Sequence, residues 1–201
     1  MKCSDIKRTM FEAFIDNQLQ LRLLCEADAQ DLFRVVDANR QRLREWLPWL
    51  DANTTPEQSG EFIQSVLRQH AQKQGFTCAI IFRGCFAGVV GYHPIRWSNK
   101  SVELGYWLSR EAVGHGIMTR CCRLLVDHAF QGLELNRVAI PVATGNRRSR
   151  GIPERLGFTQ EGVIRDAEWL YDHFVDHALY AMLKKDWKVQ SDRAFGDPRL
   201  R

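Results

Sequence analysis

Apolar and polar positions change period along this chain in an order that predicts alternating strands and helices. Leu19, Leu21 and Leu23 alternate with Gln20 and Arg22, the period of a strand buried on one face. Residues 26–38 then place Ala29, Leu32, Phe33 and Val36 at helical spacing. A shorter helix is expected over 40–46, ending before Pro48. Thr55-Pro56-Glu57-Gln58 starts another, which runs to about residue 74 with Gly75 as its stop. The pattern turns to strands at 76–83 and 86–93, about a hairpin turn at Gly84-Cys85, and at 102–108. Residues 118–130 predict a helix, 137–143 a strand, and 146–156 a helix made irregular by Pro153. Runs at 160–169 and 175–183 close the pattern as a hairpin. The sum is a single mixed α/β (α+β) sheet with helices on both faces.

A chain of 201 residues with 45% hydrophobic and 26% charged positions is expected to bury one core without staples. Residues 1–18 read as a leader, 19–187 as the domain, and 188–201, around Gly196-Asp197-Pro198, as a tail. A net charge of +4 suits an anionic ligand but is too small to argue for nucleic acid. The six cysteines lack metal-ligand spacing and any CxxC pair, and the six histidines form no metal motif, so no metal is expected. Neither a secretory apolar region nor a membrane-length run is present, so a cytoplasmic location without membrane attachment is expected.

The stretch with most chemical content follows the 102–108 strand. Val113, Gly114, His115, Gly116, Ile117, Met118 and Thr119 make a glycine-bearing turn that opens the next helix. Such a turn is a ready anion site. Glycines let the backbone approach a phosphate, amide N–H groups point outward, and the helix dipole favours negative charge.

Taken with Asn146 to Phe158, this order of elements resembles the GNAT superfamily of N-acetyltransferases. That family's pyrophosphate turn reads Q/R-x-x-G-x-G/A, and the matching residues here are Val113, Gly116 and Met118, so the first and last positions depart. Trp46-Leu47-Pro48-Trp49, Glu103-Leu104-Gly105-Tyr106-Trp107-Leu108, Asn136-Arg137-Val138, Asn146-Arg147-Arg148-Ser149, Pro153-Glu154-Arg155-Leu156-Gly157-Phe158 and Glu161-Gly162 resemble its Rim-type branch, which acetylates ribosomal-protein N-termini. The resemblance implies a mostly antiparallel GNAT-type sheet over 19–187 and acetyl-CoA as co-substrate. It implies a pyrophosphate on the amides from Val113 to Met118, with Thr119, Asn146 and Ser149 beside the donor and its pantetheine arm paired to backbone near Leu108.

The same resemblance makes Ser149 the candidate acid for the leaving thiolate, because Pro153 stands where many relatives place a tyrosine. It makes Glu168 the candidate base, with Glu103 as the rival. Trp46 and Trp49 are candidate walls for the acceptor, alongside Glu103. Arg120, Arg123, Arg147, Arg148 and Arg150 are candidates for the 3′-phosphate of the donor. For each of these side chains a plain structural use stands beside the functional one: a helix start for Ser149, a solvated carboxylate for Glu168, packing for the tryptophans. A protein α-amine is the acceptor the branch implies. A small amine, including an aminoacyl nucleotide stacked on the tryptophans, and an inactive CoA-binding module are the alternatives. A homodimer is implied by resemblance alone.

Overall fold

The computed structural model describes residues 11–187. Eight strands form one sheet in the order β1-β2-β3-β4-β5-β6-β8-β7. They are β1 (Glu12–Phe14), β2 (Leu19–Leu23), β3 (Phe76–Phe82), β4 (Cys85–Tyr92), β5 (Ser101–Leu108), β6 (Arg137–Ala143), β7 (Thr159–Leu170) and β8 (His173–Leu183). All neighbours are antiparallel except β5 and β6. The helices are α1 (Ala29–Ala38), α2 (Arg40–Arg44), α3 (Pro56–Ala71), α4 (Ile117–Asp127) and α5 (Arg147–Arg155).

The sheet separates two apolar clusters. Leu32, Val36 and Ile63 of α1 and α3 pack with Ala79, Val89 and Trp107 on one face. Ile117, Cys121 and Leu125 of α4 pack with Leu21, Cys78 and Val90 on the other. Cys78, Cys121 and Cys122 are buried there, as small apolar residues would be. Helices on both faces, as the periodicity predicts, follow from strands that are apolar on each side.

Three local differences from the sequence expectation have physical causes. Glu12–Phe14 lies in the stretch read as a leader, yet it pairs with β2 as the first strand; residues 1–10 and 188–201 lie outside the described residues. The β3–β4 hairpin turns at Arg83 and Gly84, which both take positive φ, so Cys85 opens β4 instead of sitting in the turn. The helix expected to run to residue 130 ends as an α-helix at Asp127 and continues as a π turn over His128–Gly132. There the Tyr92 hydroxyl donates to the Leu125 carbonyl, at the place where the turn widens.

The feature that makes a site is a split in the sheet. β5 and β6 pair only at Ser101↔Arg137, Val102↔Val138 and Glu103↔Ala139, and then part. The Arg137 amide donates to the Lys100 carbonyl, so alternate residues of β6 turn their N–H groups toward β5. The second residue after Ala139 in that alternation is Pro141, which has no N–H to give. Beyond it β6 stays with β8 through Ala143↔His177, while β5 stays with β4 through Gly88↔Leu108. The same alternation turns the backbone groups of Tyr106 and Leu108 toward the opening.

Candidate active site

A cleft of about 1730 Å³ occupies this opening and runs from the glycine turn to β7 and β8. The half at the glycine turn is built largely from backbone. Gly114 and Gly116 sit at φ of 92° and 66°, and a Cβ at either position would meet nothing within 4 Å, so conformation rather than crowding asks for glycine. Gly116 is the residue before α4, and no side chain caps that helix start. The first amides of α4 therefore face the cleft as donors for an anion. Ile117 and Met118 bury their side chains in the core, so they offer the site only their backbone. This accounts for the tolerance of methionine at the last position of the turn.

Val113, Gly114, Gly116, Ile117, Met118 and Thr119 all line the cleft, with Leu108, Asn146 and Ser149. His115 does not line it with its side chain; the ring lies against Phe82 with centroids 5.3 Å apart. The Asn146 Oδ1 accepts from the Ser149 amide at 3.1 Å, which makes Asn146 the cap of α5. Ser149 donates its hydroxyl to the Tyr106 oxygen at 3.2 Å, and Tyr106 donates to the Ser149 carbonyl at 3.3 Å. Burial pushes the Tyr106 phenol well above its ordinary range, so it stays protonated.

Of the candidate arginines, Arg120 is bound to Asp16, Arg123 lies over the Trp187 ring at 5.4 Å, and Arg150 donates to Tyr180 at 2.9 Å. Each of those three has a partner within the fold. Arg147 and Arg148 line the cleft, and so does Arg155, which donates to the Thr119 hydroxyl at 3.2 Å beside the turn.

The half toward β7 and β8 is assembled from distant segments. The stretch from Arg42 to Leu50 crosses the opening as a strap with three fastenings. Arg42 donates to the Leu108 carbonyl at the end of β5. The Trp46 ring reaches Gly145, where a Cβ would stand 3.3 Å from it, a tight contact that glycine relieves. At the β7–β8 tip, Tyr171 donates to the Leu47 carbonyl at 2.6 Å and accepts from the Leu50 amide at 3.2 Å. Arg44 covers the Tyr171 ring at 3.7 Å. Burial lowers the Arg42 pKa against the pull of Glu111.

Trp46 and Trp49 of the strap line the cleft together with Glu168 and His177. Trp49 also packs at 6.5 Å from Trp107, on the core side. Glu168 is one-third exposed, and its Oε2 lies 3.5 Å from His177 Nε2. Glu103 reaches the cleft too, but its carboxylate is held by Arg96 at 2.5 Å near the closed end of the split. Among the described residues no group of three or more His, Cys, Asp or Glu side chains could hold a metal ion.

The sequence did not point to Arg42, Tyr106, Arg155, Tyr171 or His177. Tyr106 carried a signal, since it sits one alternation before Leu108 on the strand that feeds the turn. The others meet the site only through the folding of distant segments.

An arrangement of outward amides, an open strand edge and a carboxylate across the gap can hold an anionic donor and take a proton from an acceptor. The profile of the acetyltransferase (GNAT) domain family matches residues 18–159. YdaF of Bacillus subtilis (strain 168) is 35% identical over 183 residues, which cover 89% of this chain and 98% of YdaF. The ribosomal-protein-serine acetyltransferase of Escherichia coli (strain K12) is 28% identical, over 84% of this chain and 94% of its own. Among solved structures, the RimL ribosomal L7/L12 α-N-protein acetyltransferase in complex with coenzyme A superposes with a TM-score of 0.83 at 26% identity, over 86% of this chain and 98% of that one. The chain belongs to the GNAT acetyltransferases, enzymes that take the acetyl group from acetyl-CoA and place it on an amine.

Proposed function

We propose that this N-acetyltransferase acts on the α-amine of a protein N-terminus of the ribosomal-protein kind, with Glu168 as proton acceptor and Ser149 as proton donor. One observation carries the reading: Glu168, Ser149 and the free end of β5 share one cleft, roofed by the Arg42–Leu50 strap. The amides that begin α4 hold the donor's pyrophosphate, and Arg155, Arg147 or Arg148 meets its remaining phosphate.

The acceptor's own chemistry supports the choice. An α-amine has a pKa of about 7.7–8.0, so roughly a quarter is neutral near pH 7.4, against about one lysine side chain in a thousand. A single carboxylate at the cleft wall is enough help for the first and little for the second. In the transfer, the amine attacks the thioester carbonyl and gives up a proton toward Glu168. The backbone N–H at Leu108 faces the developing oxyanion, and the departing thiolate gains a proton by way of Ser149. Tyr106 fixes the Ser149 rotamer for that task.

The names of two relatives, a ribosomal-protein-serine acetyltransferase and RimL, favour a protein acceptor. The tryptophans favour it as well. Trp46 has its ring edge at Gly145 and Trp49 is tilted at 52° beside Trp107, so each is already engaged in building the cleft wall. A cytoplasmic location and a homodimer belong to the same reading.

The test is thiol release from acetyl-CoA with ribosomal proteins as acceptors, read with Ser149→Ala and Glu168→Gln. Release by the wild type, slowed at least tenfold in Ser149→Ala and more in Glu168→Gln, is expected. Full kcat in both variants with an intact fold would remove the proposed roles.

A further inference from the structure

We propose that His177 is the positioning residue for the Glu168 carboxylate, brought to it by a two-residue bulge in β7. The inference rests on the reading of Glu168 as the base, and deepens it by naming what aims that side chain.

The register carries the argument. In β7 and β8, Ile164 lies opposite His177, but Glu168 lies opposite Val175. Continuing the first register would set Glu168 opposite His173, beside the hairpin tip. There it would stand four residues from His177 along β8, about 13 Å away at about 3.3 Å per residue. Two extra residues in β7 draw Glu168 back until it is the diagonal neighbour of His177, a spacing of about 7–8 Å that long side chains bridge. They do bridge it, with Oε2 3.5 Å from Nε2.

The bulge is held in place by the residue next to His177. Asp166 takes a left-handed backbone at φ of 48°, and its amide donates to the Asp176 carboxylate at 2.9 Å. A non-glycine residue there costs about 1–2 kcal/mol, so the conformation persists only because something fixes it. β7 is an edge strand, almost wholly exposed, and its packing does not require the bulge. What the bulge does change is where Glu168 stands.

The surroundings fit a positioning role. The two side chains are 17% (His177) and 32% (Glu168) exposed, so water screens their contact only in part. Among the described residues neither has another hydrogen-bond or ion-pair partner. Ala143 is the small β6 neighbour of His177, and leaves the ring room in the cleft. Nε2 faces Glu168 Oε2 across that 3.5 Å, which leaves Oε1 to meet the amine. A separation of 3.5 Å is long for a hydrogen bond, as contacts in unliganded catalytic sites commonly are.

The test is a double-mutant cycle on kcat and on KM for acetyl-CoA, with folding checked by circular dichroism. His177→Ala is expected to lower kcat about tenfold with KM for acetyl-CoA unchanged, since the donor binds at the other half of the cleft. His177→Gln, whose amide donates from the place of Nε2, is expected to restore most of that loss. In a Glu168→Gln background His177→Ala should cost nothing further. Asp176→Ala, which frees the bulge but keeps both side chains, should lower kcat severalfold and likewise lose its effect in Glu168→Gln. Wild-type kcat in both His177→Ala and Asp176→Ala, or equal losses in the two backgrounds, would overturn the pairing while leaving Glu168 as base. Wild-type kcat in Glu168→Gln would instead remove the base reading beneath it.

Discussion

The two halves of the cleft are made in different ways. The donor half is a run of contiguous residues from Val113 to Thr119, set between β5 and α4, and it presents mainly backbone. The acceptor half draws Arg42, Trp46, Glu168, Tyr171 and His177 from three stretches of chain, and it presents side chains. A backbone cradle needs only the right φ values and a helix behind it, so two glycines do most of the work and neighbouring side chains can vary. A side-chain site depends on registers, straps and bulges that fasten far-apart segments, so single hydrogen bonds matter to it. Changes in the two halves should therefore separate donor binding from transfer.

The largest separation is expected from Glu168→Gln. It should lower kcat about 100-fold or more and leave the affinity for coenzyme A unchanged, as read by calorimetry beside a thiol-release assay. Gly116→Val should do the reverse. A side chain forced to φ of 66° at the start of α4 costs about 1–2 kcal/mol, so coenzyme A should bind about tenfold more weakly, with acceptor KM little altered. Should Gly116→Val bind coenzyme A as the wild type does, the backbone cradle is not where the donor is held.

A smaller effect tests the strap. Tyr171→Phe removes two hydrogen bonds worth about 1 kcal/mol each and should raise the acceptor KM roughly fivefold with donor affinity intact. An unchanged acceptor KM would mean that the strap is not part of the acceptor wall.

The least local effect is on stability. Burial lowers the His128 pKa from 6.5 to about 4, and the ring closes the end of α4 whose other end is the glycine turn. Between those values the unfolded chain binds a proton that the folded chain does not, so stability is lost as pH falls through that window. The loss is on the order of 3 kcal/mol at most. Urea unfolding at pH 7 and pH 5 should show the decline, and His128→Phe should flatten it.

The same contrast explains what could be read from the sequence. Period alone located β2 and β6 to the residue and placed the helices and the other strands within a few positions, apart from β1, which lies in the stretch read as a leader. The turn was visible because its glycines, its strand and its helix are neighbours in the chain. The split between β5 and β6 had a local mark in Pro141, but only the parallel pairing with β5 gives that proline its meaning. The β7 bulge left no mark, since Asp166 takes its left-handed turn without a glycine to announce it. Tyr171 and His177 look like ordinary hairpin residues until the strap and the register bring them to the cleft. The π turn after α4 was hidden for a similar cause, since the tyrosine that bonds the backbone there comes from β4.

The roofed half of the cleft is proposed to receive an α-amine. The most direct measurement offers the enzyme and acetyl-CoA a ribosomal-protein N-terminal peptide that carries one free α-amine and one lysine, and locates the acetyl group by fragmentation mass spectrometry. Acetyl on the α-amine alone is the expected result. Acetyl on the lysine Nζ, with the α-amine left free, would contradict it.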